Sequence, residues 1–217
     1  MPAERRPRDR AAPAKPVAAV RREPHTVRII GGRYKRTPLP VLDLPGLRPT
    51  PDRVRETLFN WLVHLRPDFS ALRGLDLFAG TGALGFELAS RGAAAVTLVE
   101  RAPAQVAQLR ALREKLGATH VELLAGDALA LARRLPPASF DLVFLDPPFD
   151  ADLYGPALAA VRPLLAPDAL VYVESAQPLD AAAAAVGLVP VRTLQAGQVH
   201  ARLYGPAAPD LPTPADH

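Results

Sequence analysis

The sequence of 217 residues contains no cysteine. This absence excludes disulfides, thiolate metal sites, cysteine-held iron-sulfur clusters and cysteine nucleophiles. The five histidines are scattered without a His-x-x-x-His pair, and no Gly-x-Ser-x-Gly elbow is present. Zinc hydrolases and serine-triad hydrolases are therefore disfavoured, and we expect no metal.

Long hydrophobic runs are also missing. The apolar segment near the N-terminus is interrupted by Pro13, Lys15 and Pro16, so it makes a poor signal-peptide core, and no run is long enough to span a membrane. Hydrophobic residues make up 49% and charged residues 22% of the chain, as in ordinary globular proteins. We expect one compact monomeric protein in the cytoplasm, with no membrane partner.

Charge is distributed unevenly along the chain. Residues 1–55 hold 14 Lys and Arg against 5 Asp and Glu, whereas residues 56–217 hold 12 against 17. A basic segment of this kind suits a polyanion, because neutralising phosphates releases condensed counterions. Residues 1–25 are expected to be a disordered basic tail, which either solubilises the protein or contacts RNA; residues 206–217 are expected to be a second disordered tail.

Residues 26–70 are interpreted as a basic N-terminal extension that contacts RNA. Val27–Ile30 reads as a short strand that ends in a turn at 31–32. A helix is predicted to start with Thr50 as its N-cap and Pro51 as its first residue, and its apolar positions recur at helical spacing from Val54 onward. The candidate RNA contacts are the cations of this segment, with Arg53 and Arg55 projecting away from the helix core: Arg28, Arg33, Lys35, Arg36, Arg48, Arg53 and Arg55.

From residue 71 to 205, short apolar runs alternate with helical segments. This pattern predicts parallel strands buried on both faces, hence a doubly wound α/β sheet. The strands are predicted at 75–78, 96–99, 121–124, 142–145 and 170–173, and the helices at 83–90, 103–116, 129–135, 153–165 and 180–186. Residues 189–194 and 199–204 predict an antiparallel hairpin that closes the sheet edge.

A Gly-x-Gly-x-x-Gly motif lies between the first of these strands and its helix. Glycines allow a tight turn and close approach of a ligand, and the helix N-terminus attracts a carboxylate or phosphate. Glu100 follows Gly80 by twenty residues, where a carboxylate binds ribose hydroxyls, and Asp127 is placed either to bind an adenine amino group or to cap a helix. The candidate contacts to an adenosine-containing cofactor are Asp76, Phe78, Ala79, Gly80, Thr81, Gly82, Glu100, Arg101, Asp127 and Ala128.

The sequence Asp146-Pro147-Pro148-Phe149 follows the apolar strand at 142–145. Its two prolines remove N–H donors, so the chain offers acceptors: the Asp146 carboxylate and the Pro147 carbonyl. Phe149 adds an aromatic face for stacking. We interpret these four residues as the catalytic element that binds a base through its exocyclic amino group, because acceptors around that nitrogen disperse the positive charge that grows as it attacks a methyl group.

Together these residues resemble the class I S-adenosylmethionine-dependent methyltransferases. The chain is most similar to the RsmD family, the 16S rRNA (guanine-966 N2) methyltransferases, through the stretches Arg28-Ile-Ile-Gly-Gly-Arg33, Leu47-Arg-Pro-Thr50, Asp52 to Trp61, Tyr172-Val-Glu-Ser175 and Gly197-Gln-Val199.

The resemblance spans residues 27–204 and implies a Rossmann-like methyltransferase sheet. It implies S-adenosylmethionine as cofactor, S-adenosylhomocysteine as product, and a guanine of small-subunit ribosomal RNA as substrate, within an assembled or assembling particle. By the same resemblance Gly80 and Gly82 meet the methionine end of the cofactor, Glu100 its ribose and Asp127 its adenine. Asp146 to Phe149 receive the flipped guanine, with Asp146 acting either as base or only as acceptor.

Three other functions fit parts of the pattern. Amino methylation of DNA adenine or of a protein glutamine uses the same tetrapeptide chemistry. An NAD-dependent dehydrogenase explains the glycine motif and Glu100, but gives no reason for Asp146 to Phe149. A non-catalytic RNA-binding assembly factor would explain the basic extension, although not the intact acidic positions.

Overall fold

The computed structural model describes residues 26–42, 50–148 and 152–207. These contain nine strands: β1 (Thr26–Arg28), β2 (Pro38–Pro40), β3 (Arg73–Asp76), β4 (Ala95–Glu100), β5 (Val121–Ala125), β6 (Phe140–Leu145), β7 (Leu165–Ser175), β8 (Leu188–Ala196) and β9 (Val199–Pro206). They also contain six α-helices: α1 (Asp52–Leu65), α2 (Ala83–Ser90), α3 (Pro103–Leu116), α4 (Ala128–Ala132), α5 (Tyr154–Val161) and α6 (Asp180–Ala184). None of the described helices is long and apolar enough to cross a membrane.

Seven strands form one mixed sheet in the order β5-β4-β3-β6-β7-β9-β8. The pairs from β5 to β7 are parallel, and β9 runs antiparallel to both β7 and β8. The predicted doubly wound sheet with an antiparallel C-terminal hairpin is confirmed. The chain reverses its direction across the sheet between β3 and β6, and this switch point leaves a crevice at the carboxyl ends of the strands.

The helices α2 and α3 begin and end at the predicted residues. Pro103 starts α3, where a missing N–H costs nothing, and Gly117 ends it with a left-handed φ of 58°. Other bounds differ by a few residues. β3 ends at Asp76, which leaves Phe78 in the turn, and α5 ends at Val161, followed by a 3₁₀ turn at Arg162–Leu164.

Each face of the sheet covers a separate hydrophobic core. One core joins α1, α2, α3 and the β1-β2 hairpin, and the other joins α4, α5 and α6. Side chains alternate between the two along each strand, so that Phe144 and Tyr172 point into the first core while Val143 and Val171 point into the second. The N-terminal extension therefore shares its core with one face of the sheet.

The turn after β1 is bound to the C-terminal half of α2. The buried Glu87 carboxylate accepts hydrogen bonds from the backbone N–H groups of Ile30 (2.6 Å) and Gly31 (2.8 Å). Ser90 accepts two more: its carbonyl from Arg33 N (2.7 Å) and its hydroxyl from Tyr34 N (2.8 Å). Four docked amides hold the basic extension against the domain that follows it.

Two expectations about α1 are wrong. The helix begins at Asp52, and the preceding Pro51 is extended (φ −56°, ψ 144°) with no side-chain cap. Thr50 is not the N-cap, since Pro51 holds that position, and the Thr50 hydroxyl hydrogen-bonds to the Glu174 carboxylate. Arg55 does not project toward RNA. Its side chain is 0% exposed, and its Nη2 donates to the Arg28 carbonyl (2.9 Å) and to Asp52 (2.6 Å).

Candidate active site

Carboxylate side chains lie at the carboxyl ends of five adjacent strands, β5, β4, β3, β6 and β7. In that order across the sheet they are Asp127, Glu100, Asp76, Asp146 and Glu174. The ladder continues to this edge, since Asp76 pairs with Phe144 and the Leu77 N–H donates to the Phe144 carbonyl (3.2 Å). The edge is strongly acidic, which favours a cationic ligand.

The glycine turn joins β3 to α2 on this edge. Gly80 and Gly82 have positive φ angles of 50° and 78°, which few side-chain-bearing residues adopt. A Cβ atom at Gly82 would also lie 2.7 Å from Leu109 and from Phe86. Gly82, the residue before α2, has no side chain to cap the helix, and within its first turn the Gly85 N–H is bound by Asp76.

The buried Asp76 side chain is hydrogen-bonded to the start of α2, directly after the glycine turn. One of its carboxylate oxygens accepts a hydrogen bond from Gly85 N (3.0 Å). Burial raises the pKa of Asp76 to about 7; the Gly85 N–H opposes this shift, and the nearby Glu100 charge adds to it. Thr81 in the same turn is buried, whereas Phe78 and Gly80 are partly exposed.

Glu100 links the ends of β3 and β4. Its Oε2 accepts from Gly80 N (2.9 Å), and its Oε1 accepts from Arg101 N (2.8 Å) and Ala102 N (2.7 Å). These three amides fix the carboxylate beside the glycine turn. The partly exposed Glu100 side chain is thus oriented by the backbone, and the Arg101 side chain is exposed.

For Asp127 the helix-cap interpretation is confirmed. Its Oδ1 accepts from Ala130 N (2.9 Å) at the start of α4, and the following Ala128 is buried. The Asp127 side chain is exposed at the same edge as Glu100, and the Gly126 N–H donates to the Glu100 carbonyl (2.9 Å). A cap and a ligand contact use different faces of one carboxylate, so contact with adenine stays a prediction.

Asp146, Pro147 and Pro148 leave the end of β6 next to the glycine turn. Asp146 is partly exposed, Pro147 is buried and Pro148 is exposed. Burial of the carboxyl raises the pKa of Asp146 well above its usual value, and the charges of Glu174 and Asp76 raise it further. Phe149, the fourth predicted residue, lies outside the described residues.

The structure adds a polar group whose role the sequence did not predict. Glu174 is only 2% exposed in β7; its Oε1 accepts from the Tyr172 hydroxyl (2.9 Å), and its carboxylate also bonds to Thr50. The Tyr154 hydroxyl on α5 is buried without a hydrogen-bond partner, near Asp146 and Glu174. The sequence signal available for Glu174 is a carboxylate at the end of an otherwise apolar strand.

The cations of the extension belong to the β1-β2 hairpin and α1, which pack on one face of the sheet. Of the predicted RNA contacts, five side chains are exposed: Arg28, Arg33, Lys35, Arg36 and Arg53. The Arg33 guanidinium lies over the Tyr34 ring, 5.7 Å from its centroid. Arg48 lies outside the described residues. Within the described residues, no group of three or more His, Asp and Glu side chains is arranged to hold a metal ion.

The sheet order, the glycine turn and the acidic carboxyl edge together define a class I methyltransferase fold. A solved structure of the Escherichia coli protein yhhF has a TM-score of 0.72 and 39% identity to this chain, and the alignment covers 85% of this chain and 100% of that one.

The family model described as conserved hypothetical protein 95 matches residues 27–205. Ribosomal RNA small subunit methyltransferase D of Escherichia coli K12 is 42% identical over 181 residues, which are 82% of this chain and 89% of that protein. The protein of the same name from Haemophilus influenzae is 42% identical over 154 residues, 69% and 78% of the two chains. The chain belongs to this family of methyltransferases, the RsmD family.

Methyltransferases of this fold use S-adenosylmethionine, and the residues present fit that group. The glycine turn carries no side chain at Gly80 or Gly82, which allows close backbone approach of a ligand. The acidic edge suits a positive sulfonium, and the fixed Glu100 carboxylate would be the acceptor for ribose hydroxyls. The side chains that would hold the cofactor are thus already ordered by backbone hydrogen bonds.

Proposed function

We propose that this protein transfers a methyl group from S-adenosylmethionine to the exocyclic N2 of one guanine of 16S ribosomal RNA, guanine 966. The names of its relatives support ribosomal RNA of the small subunit as substrate. In this proposal the enzyme acts as a cytoplasmic monomer without a metal ion. The guanine is recognised by Asp146, Pro147, Pro148 and Phe149, and the RNA backbone by the exposed cations of the extension.

The observation that carries the proposal is the position of Asp146 beside the glycine turn. β3 and β6 are paired neighbours, and the Asp76 charge is close enough to raise the pKa of Asp146. The Asp146 carboxylate and the Pro147 carbonyl thus supply acceptors where the methyl donor is expected. Two acceptors with no adjacent N–H donor select an NH2 group.

For this reaction the protein mainly orients the guanine amino group and stabilises the positive charge that forms on N2. Bound S-adenosylmethionine supplies an electrophilic methyl group. The N2 lone pair forms the new N–C bond, the electrons of the broken S–C bond stay on sulfur, and one N2 proton leaves to Asp146 or to water. Acceptors around N2 lower the barrier because positive charge grows on that nitrogen in the transition state.

The direct test uses the full chain and cofactor labelled in its methyl group. Small ribosomal subunits that lack the modification, naked 16S RNA, duplex DNA and a protein fraction are offered separately. We expect label in RNA at N2 of a single guanine, identified by nuclease digestion and mass spectrometry. Label in adenine of DNA or in protein glutamine would overturn the proposal, as would an absence of cofactor binding by calorimetry.

Replacing Asp146 tests the assignment of the acceptor. Asp146→Ala is expected to lower kcat by about 100-fold or more, because an acceptor for the amino group is lost, while the Kd for cofactor changes little. Asp141→Asn is the matched control: Asp141 lies at the opposite end of β6 and pairs with Arg73. Full activity in the Asp146 variant would remove Asp146 from the catalytic residues.

Phe149 is proposed to stack on the flipped guanine. Phe149→Ala is expected to raise KM for RNA more than it changes cofactor affinity. Equal losses of both affinities would contradict the stacking role. Isothermal titration with cofactor and a separate filter-binding assay with RNA measure the two effects independently.

A further inference from the structure

Glu174 lies on the strand next to Asp146, on the same face of the sheet. Leu145 pairs with Val173 in the parallel β6-β7 ladder, so Asp146 and Glu174 are the next residues of the two paired strands. Two residues earlier, Phe144 and Tyr172 also pair, and their rings meet edge to face at 6.2 Å. The alternation of strand side chains puts Glu174 above Tyr172, facing α1.

Glu174 lies between a buried aromatic layer and two hydroxyl groups that hydrogen-bond to it. Phe144, Phe59 and Tyr172 form a buried aromatic layer beneath it, with the Phe59 and Phe144 rings 6.3 Å apart. The Tyr172 hydroxyl donates to Glu174 at 2.9 Å, and Thr50 provides a second hydrogen bond. A carboxylate in such a layer is poorly hydrated, so fixed donors decide its position and charge.

The surroundings of the neighbouring carboxyl groups of Glu174 and Asp146 therefore differ. Burial raises the pKa of Glu174, but the Thr50 and Tyr172 hydroxyls and the Arg55 guanidinium act in the opposite direction. None of these three groups offsets the rise at Asp146, whose pKa is raised by burial, by Glu174 and by Asp76. The like charge of Glu174 therefore makes the Asp146 carboxylate more basic, whereas fixed donors surround Glu174 itself.

The remaining charged and titratable groups around the pair come from several elements. Tyr154 of α5 interacts electrostatically with both carboxyl groups, Asp76 at the end of β3 with Asp146, and Arg55 of α1 with Glu174. Behind these, Glu100 faces Asp76, and Glu87 lies 3.9 Å from Arg55. Arg55 acts on Glu174 and also pairs with Asp52 and Glu87.

We propose that Glu174 is a positioning residue for Asp146: fixed by Tyr172 and Thr50, it holds a negative charge beside Asp146 and so makes the Asp146 carboxylate the proton acceptor for the methylated amino group. This inference rests on the proposed function. The N2 proton passes to an Asp146 oxygen as the N–C bond forms, and then to water, which restores the carboxylate. Glu174 touches neither substrate nor cofactor and acts through its charge.

The first test measures Asp146 itself, without cofactor or RNA. The carboxyl carbon resonance of Asp146, assigned by its loss in Asp146→Asn, is titrated by NMR in the wild type and in Glu174→Gln. We expect the Asp146 pKa to fall by about one pH unit in the variant, because glutamine keeps the polar contacts but removes the like charge. An unchanged midpoint would overturn the proposal.

The second test is the pH dependence of kcat for methyl transfer to RNA. In Glu174→Gln the acid limb of the profile is expected to move to lower pH, and the plateau to fall about tenfold, since a less basic Asp146 accepts the proton less readily. Glu174→Asp keeps the charge and should leave the limb in place. A limb that moves equally in both variants, or a plateau that falls without movement, would show a merely structural role.

Glu122→Gln is the matched control, because Glu122 is an exposed carboxylate of β5 away from this pair. We expect it to leave both the limb and the plateau unchanged. The wild-type reaction separates the two hypotheses. If the wild type does not methylate guanine N2, the proposed function fails; if it does and Glu174→Gln leaves the Asp146 titration unchanged, only the role of Glu174 fails.

Discussion

Arg53 and Arg55 of α1 have the same side chain but opposite exposure. Arg53 is exposed with the other cations of the extension, whereas Arg55, two positions later, is fully buried. Burying a guanidinium is unfavourable unless carboxylates and carbonyls meet it, and here Asp52, Glu87 and the Arg28 carbonyl do so. Arg55 therefore joins the extension to the site from inside the core.

The raised pKa of Asp76 predicts how the free energy of unfolding depends on pH. This pKa is raised from 3.8 to about 7 in the folded protein, so between these values the folded state keeps a proton that the unfolded state has lost. The free energy of unfolding should fall as pH rises through this window. Asp76→Asn, whose amide oxygen still accepts from Gly85 N, should make this fall smaller.

Urea unfolding at several pH values between 4 and 7 measures the slope. Asp146 and Glu174 have raised pKa values and act with the same sign, so the slope should shrink in Asp76→Asn without vanishing. Glu122→Gln is again the surface control and should keep the wild-type slope. A slope in Asp76→Asn equal to that of the wild type would contradict the raised pKa.

At the element scale, the β1-β2 hairpin depends on its docking to α2. A hairpin of two three-residue strands is marginal on its own, and β1 and β2 are each of that length. Glu87 and Ser90 accept the four amides that follow β1, and the Ser90 hydroxyl donates back to the Gly31 carbonyl (2.6 Å). The basic side chains are thus presented from a fixed backbone.

Gly32→Ala should release this hairpin. Gly32 has a φ of 73°, and a Cβ there would lie 1.9 Å from the Ser90 carbonyl oxygen, so the turn must move. We expect the amides of Ile30, Gly31, Arg33 and Tyr34 to exchange hydrogen faster, and local stability to drop by about 2 kcal/mol. Hydrogen exchange read by NMR gives the rate at each amide.

Gly155→Ala is the matched control for that variant, since a Cβ at Gly155 meets nothing within 4 Å. Its amide exchange around the hairpin should equal that of the wild type. Weaker RNA binding in Gly32→Ala with unchanged cofactor affinity would agree with a preorganised RNA surface. Wild-type exchange rates at the four amides would contradict the docking account.

For the whole molecule, the exposed cations of the extension and the acidic carboxylates of the sheet edge lie on different elements. The exposed cations belong to the hairpin and α1, which pack on the same sheet face as α2 and α3. The five carboxylates line the carboxyl edge of the sheet. In the proposed function the exposed cations attract the RNA phosphates, and the acidic edge binds the cofactor and the guanine amino group.

Arg33→Ala and Arg36→Ala test the RNA surface. Each should weaken RNA binding across sequences and reduce the slope of log Kd against log salt by about one, as one phosphate contact is lost. Arg134→Ala is the control, because Arg134 is exposed just beyond α4 on the opposite face. An unchanged salt slope in the hairpin variants would remove these arginines from the interface.

Much of the fold follows from local pattern. The alternating apolar runs predicted the strands that form the seven-stranded sheet, and Pro103 with Gly117 fixed the ends of α3. The glycine turn, Glu100 and Asp146 could be placed at one edge because parallel strands bring their carboxyl ends together. These features can be read from short stretches of chain together with the rule that parallel strands share one carboxyl edge.

Only the tertiary structure decided what surrounds each charge. Nothing local distinguishes Arg55 from Arg53, assigns the Thr50 hydroxyl to Glu174 rather than to α1, or pairs Glu174 with Asp146. Those relations join residues far apart in the chain, and burial and electrostatic coupling depend on every element packed around a group. The sequence by itself determined the elements and the chemistry carried to the sheet edge; the packing of α1 and α2 on the sheet decided which charges are buried, paired and shifted.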